Sequence, residues 1–280
     1  PEDTIDVDRD IFSYQNTLEI DQVVFEGENS VQLNFERNQW LVNGQFEADP
    51  QRINVLFAIL QQVRVRRSSS SAIAPELKAK FSAEGIAVKL YSQGNLMKEF
   101  EVVGEEEKSF TYMRLSEDQS YLVEIPGYKS YLAGIFSLDE NGWKNPLVFQ
   151  LNWANLASVR LHYPNNDANN LDIRFEDRRL SLKGIEKPDS TRLGNLVDDI
   201  SLFYVNDYLT NEEVDTTIVA SIQALIDVRD IVRNAYSVGV YGEASDTEYY
   251  IQIDSSQYAL IDKQLIKRVT KPRAYFTVPN

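Results

Sequence analysis

Asp49-Pro50-Gln51-Arg52-Ile53, followed by Leu56, Phe57, Leu60 and Val63, is written a second time in this chain. The second version is Asp189-Ser190-Thr191-Arg192-Leu193, followed by Leu196, Ile200 and Phe203. Each version starts with an Asp able to accept hydrogen bonds from the free N–H groups of a first helical turn, and the first adds Pro at the position where no donor is lost. Each places apolar residues three and four apart, the stripe one helix buries. The offset is 140 residues, Asp49 to Asp189, and it holds upstream, where Phe35, Glu36 and Gly44 answer to Phe175, Glu176 and Gly184.

Moving outward, the correspondence continues with small slips. Ile20, Val23 and Phe25 match Leu156, Val159 and Leu161 at an offset of 136. The four extra residues fall within Pro164 to Asn170, a Pro/Asn/Asp turn where insertion is cheap. Downstream, Gly104, Glu105, Met113 and Leu115 match Gly242, Glu243, Ile251 and Ile253 at an offset of 138, and Tyr121 matches Tyr258 at 137. Repeated matches in order, with slips at turns, predict two diverged copies of one module.

Alternating strands are expected near Ile20–Glu26, Val31–Glu36 and Trp40–Val42, with a turn at Asn43-Gly44. A helix follows over Pro50–Val63 and a second helical piece over Pro75–Ala83. Then come a hairpin, Ile86–Tyr91 with Leu96–Val103, two strands near Phe110–Leu115 and Tyr121–Ile125, and a short helix near Tyr128–Phe136. Successive strands joined by short turns predict an α+β fold of two tandem, mainly antiparallel sheets with helices packed on one face. The expected boundaries are an acidic linker over 1–18, a first module over 19–150 and a second over 151–280. In the second copy a helical connector is expected near Asn211–Val219, and Arg229–Val240 lacks a clean Gly-containing turn.

The chain has 280 residues, a net charge of −15, 15 Tyr, 13 Phe, one His and no Cys. Hydrophobic content of 43% is that of a globular chain, with aromatic residues suited to half-buried strands. Binding duplex phosphate requires clustered Lys and Arg, so the acidic balance opposes nucleic acid and anionic lipid as partners. Without cysteine there is no disulfide, thiolate nucleophile or Cys-ligated metal. No apolar run approaches the roughly 18–20 residues of a membrane span.

Arg37-Asn38-Gln39-Trp40-Leu41-Val42-Asn43-Gly44, Ile125-Pro126-Gly127-Tyr128 with Tyr131-Leu132, Asp139-Glu140-Asn141-Gly142-Trp143 and Lys271-Pro272-Arg273-Ala274-Tyr275-Phe276 carry a resemblance. Together they resemble a bacterial family of tandem modules of unknown function, seen in Bacteroidetes and elsewhere. The resemblance spans about Asp21 to Phe276. It implies an extracytoplasmic body, periplasmic or similar, tethered by a membrane anchor upstream of Pro1. It also implies a protein partner in a membrane or envelope assembly, sometimes beside gliding-type ABC-transporter components. It implies no catalytic residue and no cofactor.

Residues with chemical potential have bland readings beside the sharp ones. His162 lies on a strand face with Arg160 and lacks the supported-base arrangement that nucleophilic catalysis needs. Asp6, Asp8 and Asp10 alternate like a calcium loop, but Ile11 and Thr17 stand where Gly and Glu belong. Glu105, Glu106, Glu107 and Glu243 could supply paired carboxylates for acid–base work or a local cation site; otherwise they are solvated turn charges. Arg64, Arg66 and Arg67, before Ser68–Ser71, could grip an acidic partner; otherwise they are the end of a helix and a loop. Trp40 matches Leu180 and is expected in the core, and Phe35 and Phe175 are expected at equivalent core positions. Trp143 and Trp153 flank the junction and are expected to pack the modules together. The expected function is a non-catalytic binding or scaffolding protein. The alternatives are a solute-binding protein, or a glycan hydrolase using two carboxylates about 5–9.5 Å apart.

Overall fold

The computed structural model describes residues 8–128, 131–176 and 179–278. The chain divides into two compact units at Asn145/Pro146. The first holds β1 (Gln22–Glu26), β2 (Val31–Glu36), β3 (Gln39–Val42), β4 (Phe46–Glu47), α1 (Pro50–Gln62), β5 (Arg64–Ser68), α2 (Ala74–Glu84), β6 (Ile86–Ser92), β7 (Asn95–Glu105), β8 (Phe110–Ser116), β9 (Gln119–Glu124) and α3 (Glu140–Trp143). The second holds β10 (Leu156–His162), β11 (Leu171–Glu176), β12 (Arg179–Leu182), α4 (Ser190–Ser201), β13 (Asp207–Tyr208), β14 (Ala224–Asp230), β15 (Ala235–Glu243), β16 (Glu248–Ile253), β17 (Gln257–Asp262) and α5 (Lys263–Val269).

Each unit is built on one antiparallel sheet, as the α+β expectation requires. The strand orders among the described residues are β4-β3-β2-β1-β6-β7-β8-β9-β5 and β12-β11-β10-β14-β15-β16-β17-β13. Apart from the two-residue β4, the orders are the same, with β1 answering to β10 and β5 to β13. Register agrees as well: Phe35 pairs with Trp40 across β2–β3, and Phe175 with Leu180 across β11–β12.

The two long helices show why the sequence folds this way. Asp49 accepts from the Gln51 N–H at 2.8 Å, and Asp189 from the Arg192 N–H at 3.1 Å. Arg52 and Arg192, three residues on, turn back to the same carboxylates. The stripes bury Ile53, Leu56, Ile59 and Leu60 in one unit and Leu193, Leu196, Val197 and Ile200 in the other. Each N-cap N–H is itself held from the end of its unit, Asp49 by the Trp143 carbonyl and Asp189 by the Phe276 carbonyl. Trp143 and Phe276 are both fully buried.

Several details differ from the sequence reading. Helices of the first unit lie on both faces of the sheet. α1 packs with Val102, Met113 and Val123, whereas Leu77 and Phe81 of α2 pack with Val103, Tyr112 and Leu122. Adjacent strand residues point to opposite faces, so the two sets are the two sides of one sheet. Arg64, Arg66 and Arg67 stand on β5, an edge strand against β9, and not at a helix end with a loop. Val65 is buried and draws the segment onto the sheet.

Residues 211–219 form a short 3-10 turn over Asn211–Glu213 and further turns in place of a helix. Asp215 takes the Thr217 N–H and hydroxyl, a local bond that competes with helix, and Thr216, Thr217, Ile218 and Val219 are poor helix formers. The segment expected as an acidic linker brings Phe12 into the first core, fully buried against Phe100 and Tyr121. Asp6 lies outside the described residues. The β14–β15 turn needs no glycine: Arg233 takes φ 73°, and Asp230 accepts from both the backbone and side-chain nitrogens of Asn234.

A second tie joins the turn after β3 to α3. Lys144 is buried with its ammonium 2.9 Å from Glu140 and 3.8 Å from the Phe46 ring centre. Glu140 also accepts from Asn43 at 2.7 Å. Burial pushes the Glu140 carboxyl up, but the bonds from Asn43 and Lys144 and the Lys144 charge together hold it below the usual carboxylate value of 4.5. A depressed folded-state pKa adds stability that is present above the unfolded value and lost as pH falls through the folded one. Glu140→Gln is therefore expected to narrow its stability deficit against wild type below about pH 4 and hold it constant from about pH 5 to 7. Urea midpoints across that range check this; a deficit independent of pH would refute it.

Candidate functional site

The first unit carries an open groove of about 610 Å³ at the β4-β3-β2 edge of its sheet, within the size range of ligand sites. Its floor comes from α1, through Ile53, Asn54, Phe57, Ala58 and Gln61. One wall is Phe35 of β2, Gln39 and Trp40 of β3, and Glu47 of β4. The other is the turn Thr17–Glu19 with Ile20, where Leu18 stands fully exposed. Among the described lining residues only Glu47 is charged, and it accepts from the Asn145 side chain at 3.1 Å.

Packing explains why the groove stays apolar and open. Phe35 continues the inward row of Val31 and Leu33, but at the outer end of β2 it remains 43% exposed. It was expected in the core; its register matches Phe175, but its burial is that of a groove wall. Trp40 is half-buried between Phe35 and Phe57, with ring centres 5.5 and 5.3 Å away. Gln61 donates to the Thr17 hydroxyl and fixes the turn against α1. Apolar surface left in water is unfavourable by about 25 cal/mol per Å², so three aromatic walls and a bare Leu18 favour an apolar occupant.

The residues singled out from sequence are dispersed. Arg64 pairs with Asp10 at 3.0 Å and Arg66 with Glu124 at 3.6 Å, all well exposed. Arg67 lies on the same edge strand. None of the three lines the groove. Trp143 stacks on Phe25 at 5.4 Å and 15° inside the first core. Trp153 lies in the second unit, its N–H donating to Asp198 at 2.7 Å. His162 is exposed, 4.0 Å from Asp167. Glu105 pairs with Lys108, and Glu243 with Lys263.

Among the described residues no group of three or more His, Asp or Glu could hold a metal ion. No helix among them is long and apolar enough to cross a membrane. Gly104 and Gly242 are explained by packing: a Cβ at Gly104 would collide with the Tyr131 hydroxyl, and one at Gly242 would meet the Ile218 Cγ2 at 2.6 Å.

Sequence reasoning missed the groove because it placed Phe35 and Trp40 in the core and treated Leu18 as part of a linker. The available signal was a mismatch between the copies: Thr17, Asn54 and Ala58 answer to Trp153, Gly194 and Asp198.

A family model described as a domain of unknown function, DUF4340, matches residues 40–220. That span starts within β3 and ends in the turns before β14, so it takes in parts of both units. No curated protein and no solved structure matches the chain.

Proposed function

The chain belongs to the DUF4340 family, and we propose that it is a non-catalytic binding protein whose first unit receives a protein partner in the groove beside α1. The observation that carries this is the groove itself: apolar, walled by Phe35, Trp40 and Phe57, and left open by exposed Leu18. Ligand sites are concave and lined mainly by apolar and aromatic side chains, and interface energy concentrates in a few aromatic anchors.

We further propose that the two units are diverged copies of one module. Matching strand order apart from β4, an Asp N-cap on each long helix and closure by the Trp143 and Phe276 carbonyls support this. The resemblance in Arg37–Gly44 and Lys271–Phe276 supports an extracytoplasmic setting, with a tether upstream of Pro1 and a role accessory to an ABC-transporter or envelope assembly. A fold by itself does not assign the partner.

A photo-crosslinking amino acid in place of Leu18, in the full-length protein in its native cells, tests the reading. A discrete light-dependent adduct is expected, lost when Ala58→Arg is added to block the groove. Absence of an adduct, or one indifferent to Ala58→Arg, would overturn the binding role of the groove.

A further inference from the structure

In the second unit the matching place is taken by Trp153, which lies over it and remains 41% exposed. Trp153 lies edge-on to Phe175 with ring centres 5.7 Å apart, and its N–H donates to Asp198. Its six-membered ring comes within 3.7 Å of where a Cβ on Gly194 would stand. At the offset of 140 those three neighbours are Phe35, Ala58 and Asn54. All three line the open groove of the first unit. At the offset of 136 that holds just before β1 and β10, Trp153 itself answers to Thr17. The first unit thus keeps the helix turn and the aromatic wall against which an indole packs, and carries a threonine where the indole would start.

We propose that the groove of the first unit binds a tryptophan side chain presented by a partner protein, in the place that Trp153 takes in the second unit. This rests on reading the groove as the binding site, and it names what enters. Tryptophan is the side chain of largest apolar area, and edge and offset contacts with Phe35, Trp40 and Phe57 suit its ring. Ala58 cannot accept the indole N–H as Asp198 does, but Asn54, one helical turn away, carries an amide oxygen that can.

Charge selects the flanking residues. Glu47 is the sole charge among the described lining residues, and the chain carries −15 overall. Acidic neighbours beside the tryptophan would be repelled, and neutral or basic ones are accepted. The partner segment is therefore a tryptophan set among neutral or basic residues.

The test uses a five-residue peptide, Lys-Gly-Trp-Gly-Lys, with 5-fluorotryptophan at its centre, titrated against the intact chain by fluorine NMR. A saturable shift with one peptide bound per chain is expected. Thr17→Trp installs the missing plug and should weaken binding at least about tenfold. Trp153→Ala empties the second groove and should raise the number of bound peptides to two. A peptide with leucine in place of the tryptophan carries no fluorine and is added as a competitor of the fluorinated one; it should bind at least about tenfold more weakly.

Unchanged affinity in Thr17→Trp overturns the proposal. If the leucine peptide binds as well as the tryptophan one and both are lost in Thr17→Trp, the indole assignment falls while the groove stands. If no peptide binds but the Leu18 adduct forms, the indole assignment again falls alone; with neither, both fall. Should Trp153→Ala unfold by circular dichroism, Thr17→Trp carries the test.

Discussion

Trp143→Ala is expected to destabilise the chain by about 3–5 kcal/mol, the range for truncating a fully buried large aromatic side chain. Trp143 has no exposed surface and is the largest fully buried side chain of the molecule's described residues. Its ring stacks on Phe25 of β1, which also meets Phe136 edge-on at 6.3 Å. Alanine would leave a cavity between the sheet and the closing turns, and the rigid strands on either side can collapse into it only in part. The effect would spread along the backbone, because the Trp143 carbonyl receives the Asp49 N–H that fixes the start of α1. Urea unfolding should show the loss, and amide exchange should show reduced protection in β1 and α1. A change below about 1 kcal/mol, within what surface positions give, would mean that the ring does not close this core.

Leu56→Ala is expected to cost about 2–5 kcal/mol, and Leu196→Ala a loss in the same range. Leu56 is fully buried and Leu196 nearly so, each at the same turn of α1 and α4. The contrast is Phe35→Ala. Phe35 belongs to the same inward row of its sheet, yet it is partly exposed, so its truncation should cost far less stability than that of Leu56. Its effect should appear in binding at the groove. Equilibrium denaturation of the three variants side by side separates a core position from a groove wall. If Phe35→Ala proved as damaging as Leu56→Ala, the groove would be part of the folding core and its openness would need another cause.

Asp49 and Asp189 with their apolar stripes announced two helices of the same design, because capping and a 3.6-residue period are local properties that a single strip of sequence contains. The strand pairs Val31–Glu36 with Trp40–Val42 and Ile86–Tyr91 with Leu96–Val103 were legible for the same reason: alternation is local, and short turns place neighbours side by side. Equal order in the two sheets follows from equal spacing of these signals along the chain.

What sequence could not decide were contacts between residues far apart. β5 exists because Val65 finds Val123 across the sheet, a partner no local rule names. Phe12 is core only because the first sheet passes over it. Helices on both faces of that sheet follow from the one-residue alternation of Val102 with Val103 and Met113 with Tyr112, which supplies apolar side chains to two sides at once.

The groove is the clearest case. Phe35 and Phe175 look alike as letters, and both stand at the outer end of their strands. One is covered by Trp153 and the other is left bare beside Thr17. The sequence by itself determined that two mainly antiparallel sheets form and where their long helices start. Only the tertiary structure decided which aromatic residues are core and which are wall, because that depends on what the rest of the chain lays over them.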